Sequence, residues 1–301
     1  MLRNLILGVA NQPLVRRVAT GGPGRRVALR FVAGENLDQG FGVTRALCRR
    51  GFSVALDHLG ENVMSADAAD AAAAVYREAI ERIAAEGLDA TVTLKPTQMG
   101  LDIDEGLAHA NVAKLCAAAA SSGSSLALDM EDHRYTERTI AMCLRLDAEF
   151  PGRAGIALQS ALYRTPADLD RVIGVPVRIV KGAYREPPEF AYPRKADVDR
   201  AFAQIVARLM REGAYPMIAT HDERLIRYTL RRARQYGRSP DTFEFQMLYG
   251  IGRNLQQRLL DQGYRVRVYV PFGSDWYPYL IRRLAERPAN LAFFLAALAR
   301  G

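Results

Sequence analysis

Cysteine is scarce in this 301-residue sequence: there are three, Cys48, Cys116 and Cys143, odd in number and without a CxxC spacing. That excludes a disulfide framework and a cysteine-built zinc site, and it suits a reducing, cytoplasmic setting. Histidine is nearly as scarce, at four residues, and neither HxH nor HExxH occurs. His58 and His221, with Asp57, Asp129, Glu131 and Asp132, do not fall into a metal-ligand spacing, so no catalytic metal is expected. No apolar run reaches the ~20 residues that span a bilayer. The apolar start, Met1 to Val9, carries Arg3 and is too short for a signal core plus cleavage site. A dinucleotide fingerprint is missing as well: Gly250-Ile-Gly252 begins like one, lacks the third glycine, and reads as a turn.

What is present is ordinary globular material, 49% hydrophobic and 25% charged, which argues against a disordered or fibrous chain. The length suits one large domain or two modest ones. Lys and Arg number 41 against 33 Asp and Glu, a formal charge of +8 that favours anionic ligands or surfaces. The basic residues are dispersed except between Arg224 and Arg238, a stretch that reads as a solvated helix face; no nucleic-acid motif accompanies it, and no nucleic-acid partner is expected.

From residue 53 onward a short β-rich run alternates with a longer helical run. Eight strands are predicted: Ser53–Asp57, Thr91–Lys95, Leu126–Met130, Ile156–Gln159, Val177–Val180, Pro216–Thr220, Phe243–Met247 and Val266–Val270. Helices are predicted over Ala66–Glu86, Glu105–Ala120, Tyr135–Glu149, Asp197–Arg211 and Glu223–Tyr236, among others. Strands joined by helices of this length are parallel, and eight of them point to an α/β fold of the (βα)8 TIM-barrel type, with an open sheet as the alternative. Residues 1–50 read as helical decoration on a catalytic barrel spanning 51–301.

Alternation along the strands places Thr91, Thr93 and Lys95 on the barrel axis, with Ser125, Ala127 and Asp129, then Gly155, Ala157 and Gln159. The same phase puts Glu244, Gln246, Arg265, Arg267 and Tyr269 inside. Buried charges need partners, so Glu244 is expected to pair with Arg265 or Arg267.

Barrel enzymes carry their chemistry at the C-terminal strand ends. Here those ends are Asp57-His58, Lys95, Asp129, Gln159, Lys181, Thr220-His221, Gln246 and Tyr269, a more reactive set than ordinary turn residues. A desolvated Lys181 could act as a Schiff-base nucleophile. In the last helix Arg282 and Arg283 could converge on one anion, with Tyr279 and Glu286 a turn to either side. A surface Arg282–Glu286 pair is the plainer alternative.

Four runs, Leu128-Asp-Met-Glu-Asp132, Arg178-Ile-Val-Lys-Gly-Ala-Tyr184, Phe243-Glu-Phe-Gln-Met-Leu248 and Tyr279-Leu-Ile-Arg-Arg-Leu-Ala-Glu286, resemble proline dehydrogenase in its short monofunctional bacterial form. The likeness runs in order from about Lys95 to Asn290; the first fifty residues carry no such motif, and Arg185 departs from the pattern. The resemblance implies an FAD-dependent barrel with a final helix over its mouth. It implies oxidation of L-proline to Δ1-pyrroline-5-carboxylate, with hydride passing from substrate C5 to flavin N5 and electrons going on to a membrane quinone. A pyrroline-5-carboxylate dehydrogenase would act next, and a peripheral contact at the inner face of the membrane would suit the acceptor. Carried over by motif, Arg282 and Arg283 grip the proline carboxylate, supported by Lys95, Tyr279 and Glu286, while Tyr269 and Leu248 wall the ring. Asp129 positions the cations and Arg178 reaches the flavin. Met130, Gln159, Val180, Lys181, Gly182, Ala183, Thr220 and His221 hold the cofactor, which reassigns Lys181 from nucleophile to cofactor contact.

Overall fold

A polar residue before an apolar, helix-periodic run caps a helix by accepting from the exposed N–H groups of its first turn. Asn36 does so for α1 (Leu37–Cys48), through Gln39 N at 3.0 Å. Ser65 caps α2 (Ala66–Ala85) and Asp104 caps α3 (Glu105–Ser121) in the same way. Further along come α4 (Thr136–Glu149), α5 (Thr165–Val172), α6 (Lys195–Glu212), α7 (Glu223–Gln235), α8 (Arg253–Asp261) and α9 (Trp276–Glu286). These details belong to a computed structural model that describes residues 28–184 and 186–286; Arg185 and the side chains of residues 282–286 lie outside the described set.

The strands are β1 (Ser53–His58), β2 (Ala90–Leu94), β3 (Leu126–Leu128), β4 (Ala154–Gln159), β5 (Pro176–Val180), β6 (Tyr215–Ala219), β7 (Glu244–Leu248) and β8 (Val266–Phe272). Each runs parallel to the next, and β8 closes on β1 from Ser53↔Arg267 to His58↔Phe272. Closure excludes the open sheet. All eight predicted strands are present, with ends shifted by a residue or two. The third is shorter than predicted: the ladder to β4 stops at Leu128↔Ile156, and Asp129 turns its carboxylate into the barrel.

Val54, Leu56, Val92, Leu94, Leu128 and Ile156 alternate outward from the axis and are completely buried beneath the helices. Burying one such side chain contributes ~1.5–3 kcal/mol, so this layer is the main store of stability. α1 packs against both β1 and β8, with Phe41 fully buried. It thereby fills the ring position beside the closing seam, and α9 is left to pack elsewhere. A second apolar cluster gathers Trp276, Tyr277, Tyr279, Leu280 and Ile281 of α9 with Ala28, Phe31, Val32 and Leu59. The segment before α1 is tied to the base of α9 by Ala33 N to Pro271 O (2.8 Å), Gly273 N to Gly34 O (2.9 Å) and Trp276 Nε1 to Glu35 Oε1 (3.3 Å). It crosses Gly250 so closely that a Cβ there would lie 1.8 Å from the Arg30 carbonyl oxygen.

Candidate active site

Small residues such as Ala127 and Ala157 fill the middle of the axis, and charged residues gather at its two ends. At the lower end Glu244 is fully buried and accepts from Arg267 Nε at 2.8 Å, Gln246 Nε2 at 2.6 Å and the Tyr215 hydroxyl at 3.2 Å. The predicted pairing is thus with Arg267. Arg265, expected inside, lies just before β8 and stays outside the barrel, 42% exposed and 3.7 Å from Asp89. Its backbone carbonyl accepts from Phe245 N, but the inward phase begins only with the strand proper, at Arg267.

At the upper end Asp129 gathers the site. Tyr269 donates to its Oδ2 at 2.7 Å, Thr93 donates to Oδ1 at 3.1 Å, and Arg178 Nη1 is hydrogen-bonded to Oδ1. Arg178 also donates to Gln246 Oε1 at 2.6 Å and Thr93 Oγ1 at 3.0 Å, and its guanidinium stands 5.7 Å from the Tyr269 ring centroid. Lys95, just beyond β2, donates to Asp57 Oδ1 at 3.1 Å and lies 3.7 Å from Asp129 Oδ2. Two cations and two carboxylates therefore alternate across the mouth.

Burial alone would raise the Asp129 carboxyl, but Arg178 and Lys95, helped by the Tyr269 and Thr93 hydroxyls, hold it below its usual value. Burial likewise disfavours the Lys95 ammonium, and Asp57 and Asp129 more than reverse this, keeping it well above its ordinary range. Burial and then the Asp129 charge push the Tyr269 phenol well up, so it stays a donor. Beside this set Glu131 is buried, with no cation among the described residues in hydrogen-bond reach. It accepts from Thr97 N at 3.1 Å and Thr97 Oγ1 at 2.5 Å, and burial pushes its carboxyl up to about 7.

The remaining predicted residues line the neighbouring strand ends. Gln159 is buried and donates to the Glu131 carbonyl at 2.8 Å, with Met130 buried alongside in sequence. Val180 ends β5, and Gly182 follows with a φ of 114° that side chains rarely adopt. A Cβ on Gly182 would approach Gln159 Oε1 to 3.1 Å and Ala161 Cβ to 3.2 Å, so only glycine lets the chain turn this closely against Gln159. Lys181 turns away to Asp199 at 2.6 Å and Asp222 at 3.6 Å and is 28% exposed, which is not the desolvated setting a Schiff-base nucleophile needs. Past β6, Thr220 Oγ1 accepts from Asp222 N at 3.1 Å and His221 Nε2 accepts from Leu248 N at 3.1 Å. Tyr279 is buried in α9; Arg282, Arg283 and Glu286 sit on the same helix, but their side chains are outside the described set.

The sequence placed Asp57 and Gln246 at strand ends without giving either a role, and Thr93 only on the inward phase; closure brings β2, β5 and β7 together through Arg178. His58 and His221 serve separate contacts, His58 stacking on Phe272 at 5.2 Å. Among the described residues no helix is long and apolar enough to cross a membrane.

The proline dehydrogenase family model matches residues 42–295. Proline dehydrogenase 2 of Bacillus subtilis strain 168 is 36% identical over 293 residues, covering 97% of this chain and 96% of its own. The proline dehydrogenase of Deinococcus radiodurans is 39% identical over 307 aligned positions, 100% of this chain and 99% of its own. Proline utilization A from Bdellovibrio bacteriovorus shares the fold at a TM-score of 0.81 and 23% identity, over 87% of this chain and 33% of that longer one. With that agreement over nearly its whole length, this chain belongs to the proline dehydrogenase family and is an oxidoreductase that acts on proline, at the first step of proline catabolism.

Proposed function

We propose that the chain oxidises L-proline to Δ1-pyrroline-5-carboxylate at the upper end of the barrel, using FAD and a membrane quinone as final acceptor. The observation that carries this reading is the Asp129–Arg178–Lys95–Tyr269 network: a preorganised, largely buried set of charges at the strand ends.

The residues present fit a flavin. Gly182 turns the chain beyond β5 with a φ of 114° and no side chain, which exposes backbone polar groups to a planar ring, and the buried Gln159 amide beside it offers a further hydrogen-bonding group. Met130, Gln159, Arg178, Val180, Lys181, Gly182, Ala183, Thr220 and His221 would hold the group. When bound, FAD would supply the two-electron acceptor that the oxidation of proline needs, with a quinone as the final acceptor.

The chain's own residues orient and charge the site. Lys95, with Arg282, Arg283, Tyr279 and Glu286 of α9, would bind the substrate carboxylate, because guanidinium and ammonium groups out of water bind carboxylates strongly. Tyr269 and Leu248 would wall the ring, fixing C5 in one place. Asp129 anchors Arg178 and Tyr269, and the guanidinium it directs favours the negative charge that builds during the reaction. No side chain is needed to take the amine proton, which leaves to water before the C–H bond breaks.

Purified protein should show flavin absorbance that proline bleaches anaerobically and a soluble quinone restores. Protein that carries no flavin, cannot be reconstituted with FAD and does not oxidise proline would sink the reading.

A further inference from the structure

We propose that Asp57 is the positioning residue that sets the charge and the direction of the Lys95 ammonium, and through it the affinity of the site for the substrate carboxylate. The proposal rests on the reading of Lys95 as part of the anion site. Asp57 and Lys95 belong to neighbouring strands, and the Asp57↔Thr93 register brings the two side chains inward at adjacent levels. The Asp57 side chain is 1% exposed. Its Oδ1 accepts from Lys95 Nζ at 3.1 Å, and its Oδ2 receives no hydrogen bond from any described residue.

The two carboxylates of the mouth divide the two cations between them. Asp129 is engaged by Arg178 and further occupied by the Thr93 and Tyr269 hydroxyls, and it stands at 3.7 Å from Lys95. Asp57 has Lys95 as its only described cationic contact, at the shorter distance. Remove Asp57, and a buried ammonium must share a carboxylate that is already spoken for. Desolvation then favours the neutral amine, which cannot attract a carboxylate. The groups that face Lys95 are Asp57 from β1, Asp129 from β3, Tyr76 from α2 and Tyr184 beyond β5, with His58 and Glu131 also within its field. Of these, Asp57 most strongly keeps the ammonium charged.

The test is Asp57→Asn in the holoenzyme, which keeps the shape and an acceptor for Lys95 but removes the charge. The ratio of variant to unaltered KM for proline should grow about tenfold from pH 7 to pH 9, with kcat changed by less than about twofold, as expected when one charge of a binding site begins to titrate. In a Lys95→Met background the same substitution should do nothing further. A KM ratio that is level with pH, or an equal effect in the Lys95→Met background, overturns the proposal. If Lys95→Met itself leaves KM unchanged, the anion-site reading fails and takes the proposal with it; if Lys95→Met raises KM while Asp57→Asn keeps the unaltered pH profile, only the proposal fails. Should Asp57→Asn not fold, the unaltered holoenzyme decides by NMR: a Lys95 Nζ resonance, assigned by its loss in Lys95→Met, that remains an ammonium at pH 9 supports the proposal, and a neutral amine there overturns it.

Discussion

The barrel axis holds two buried ion clusters built from the same residue types, and they differ in what is left over. In the lower one Glu244 takes hydrogen bonds from Arg267, Gln246 and Tyr215, and Arg267 spends a further donor on the Val54 carbonyl at 3.0 Å. Arg267 also lies 3.9 Å from Asp89 at the rim. In the upper one an ammonium, a guanidinium and a carboxylate oxygen of Asp57 retain capacity for another partner, and they sit at the strand ends where loops converge. A saturated cluster fixes structure, because a group without a partner in low dielectric is costly. A cluster with spare capacity is one that a ligand completes. Gln246 joins the two, bonding Arg178 above and Glu244 below, so the stable cluster braces the reactive one.

Breaking each cluster in turn should separate these roles. Glu244→Ala strands Arg267 in the interior and should cost roughly 3–5 kcal/mol of stability, read by urea unfolding, while KM for proline in the folded fraction stays near that of the unaltered enzyme. Arg178→Met removes a charge from the reacting end and should lower kcat by roughly 10²–10³-fold with a smaller loss of stability. If Glu244→Ala instead abolished turnover without destabilising the fold, or Arg178→Met mainly unfolded the protein, the division drawn between the clusters would be wrong.

The outlines of this contrast were legible in the chain. Strand count, inward phase and the identity of Lys95, Asp129 and Tyr269 as strand-end residues all follow from period-2 alternation between helical stretches, which is a local signal. That Glu244 would pair with Arg265 or Arg267 followed from the rule that buried charge seeks buried charge, and the structure chose Arg267. What sequence could not supply was long-range: Arg178 reaches Thr93 and Gln246 across the barrel, over 85 and 68 residues of chain, and only closure makes them neighbours. The position of α1 beside the closing seam was equally hidden, since amphipathic periodicity shows that a helix packs on something without showing on what.

Glu131 sharpens the comparison, because it is buried but has no cation among the described residues in hydrogen-bond reach, and its carboxyl is raised to about 7 from an ordinary 4.5. Between those values the folded protein keeps a proton that the unfolded chain has already released. Stability contributed by the neutral acid is therefore full below about pH 4.5, falls as pH rises, and is lost by the time pH has passed about 7. The total is about 3 kcal/mol at the ordinary equivalence of proton affinity and free energy. Glu131→Gln should remove that part of the slope in urea unfolding measured at pH 5 and pH 7.5. An identical slope in the variant would mean that the two Thr97 donors already suffice to hold Glu131 charged.

The smallest effect separates two arginines that sequence alone treated alike. Arg265 and Arg267 were both expected inside on the same inward phase, but only Arg267 lies within the β8 ladder and reaches Glu244, while Arg265 is 42% exposed and 3.7 Å from an Asp89 that is itself 55% exposed. An exposed pair at that distance is screened by water and contributes ~0–1 kcal/mol. Arg265→Ala should accordingly change the unfolding free energy read from urea titration by no more than about 0.5 kcal/mol and leave proline turnover untouched, whereas Arg267→Ala should cost several-fold more by stranding Glu244. Equal losses from the two substitutions would show that Asp89, and not the buried carboxylate, anchors the lower cluster. In that case the bracing of the active site through Gln246 would have to start from the barrel's open end instead of its interior.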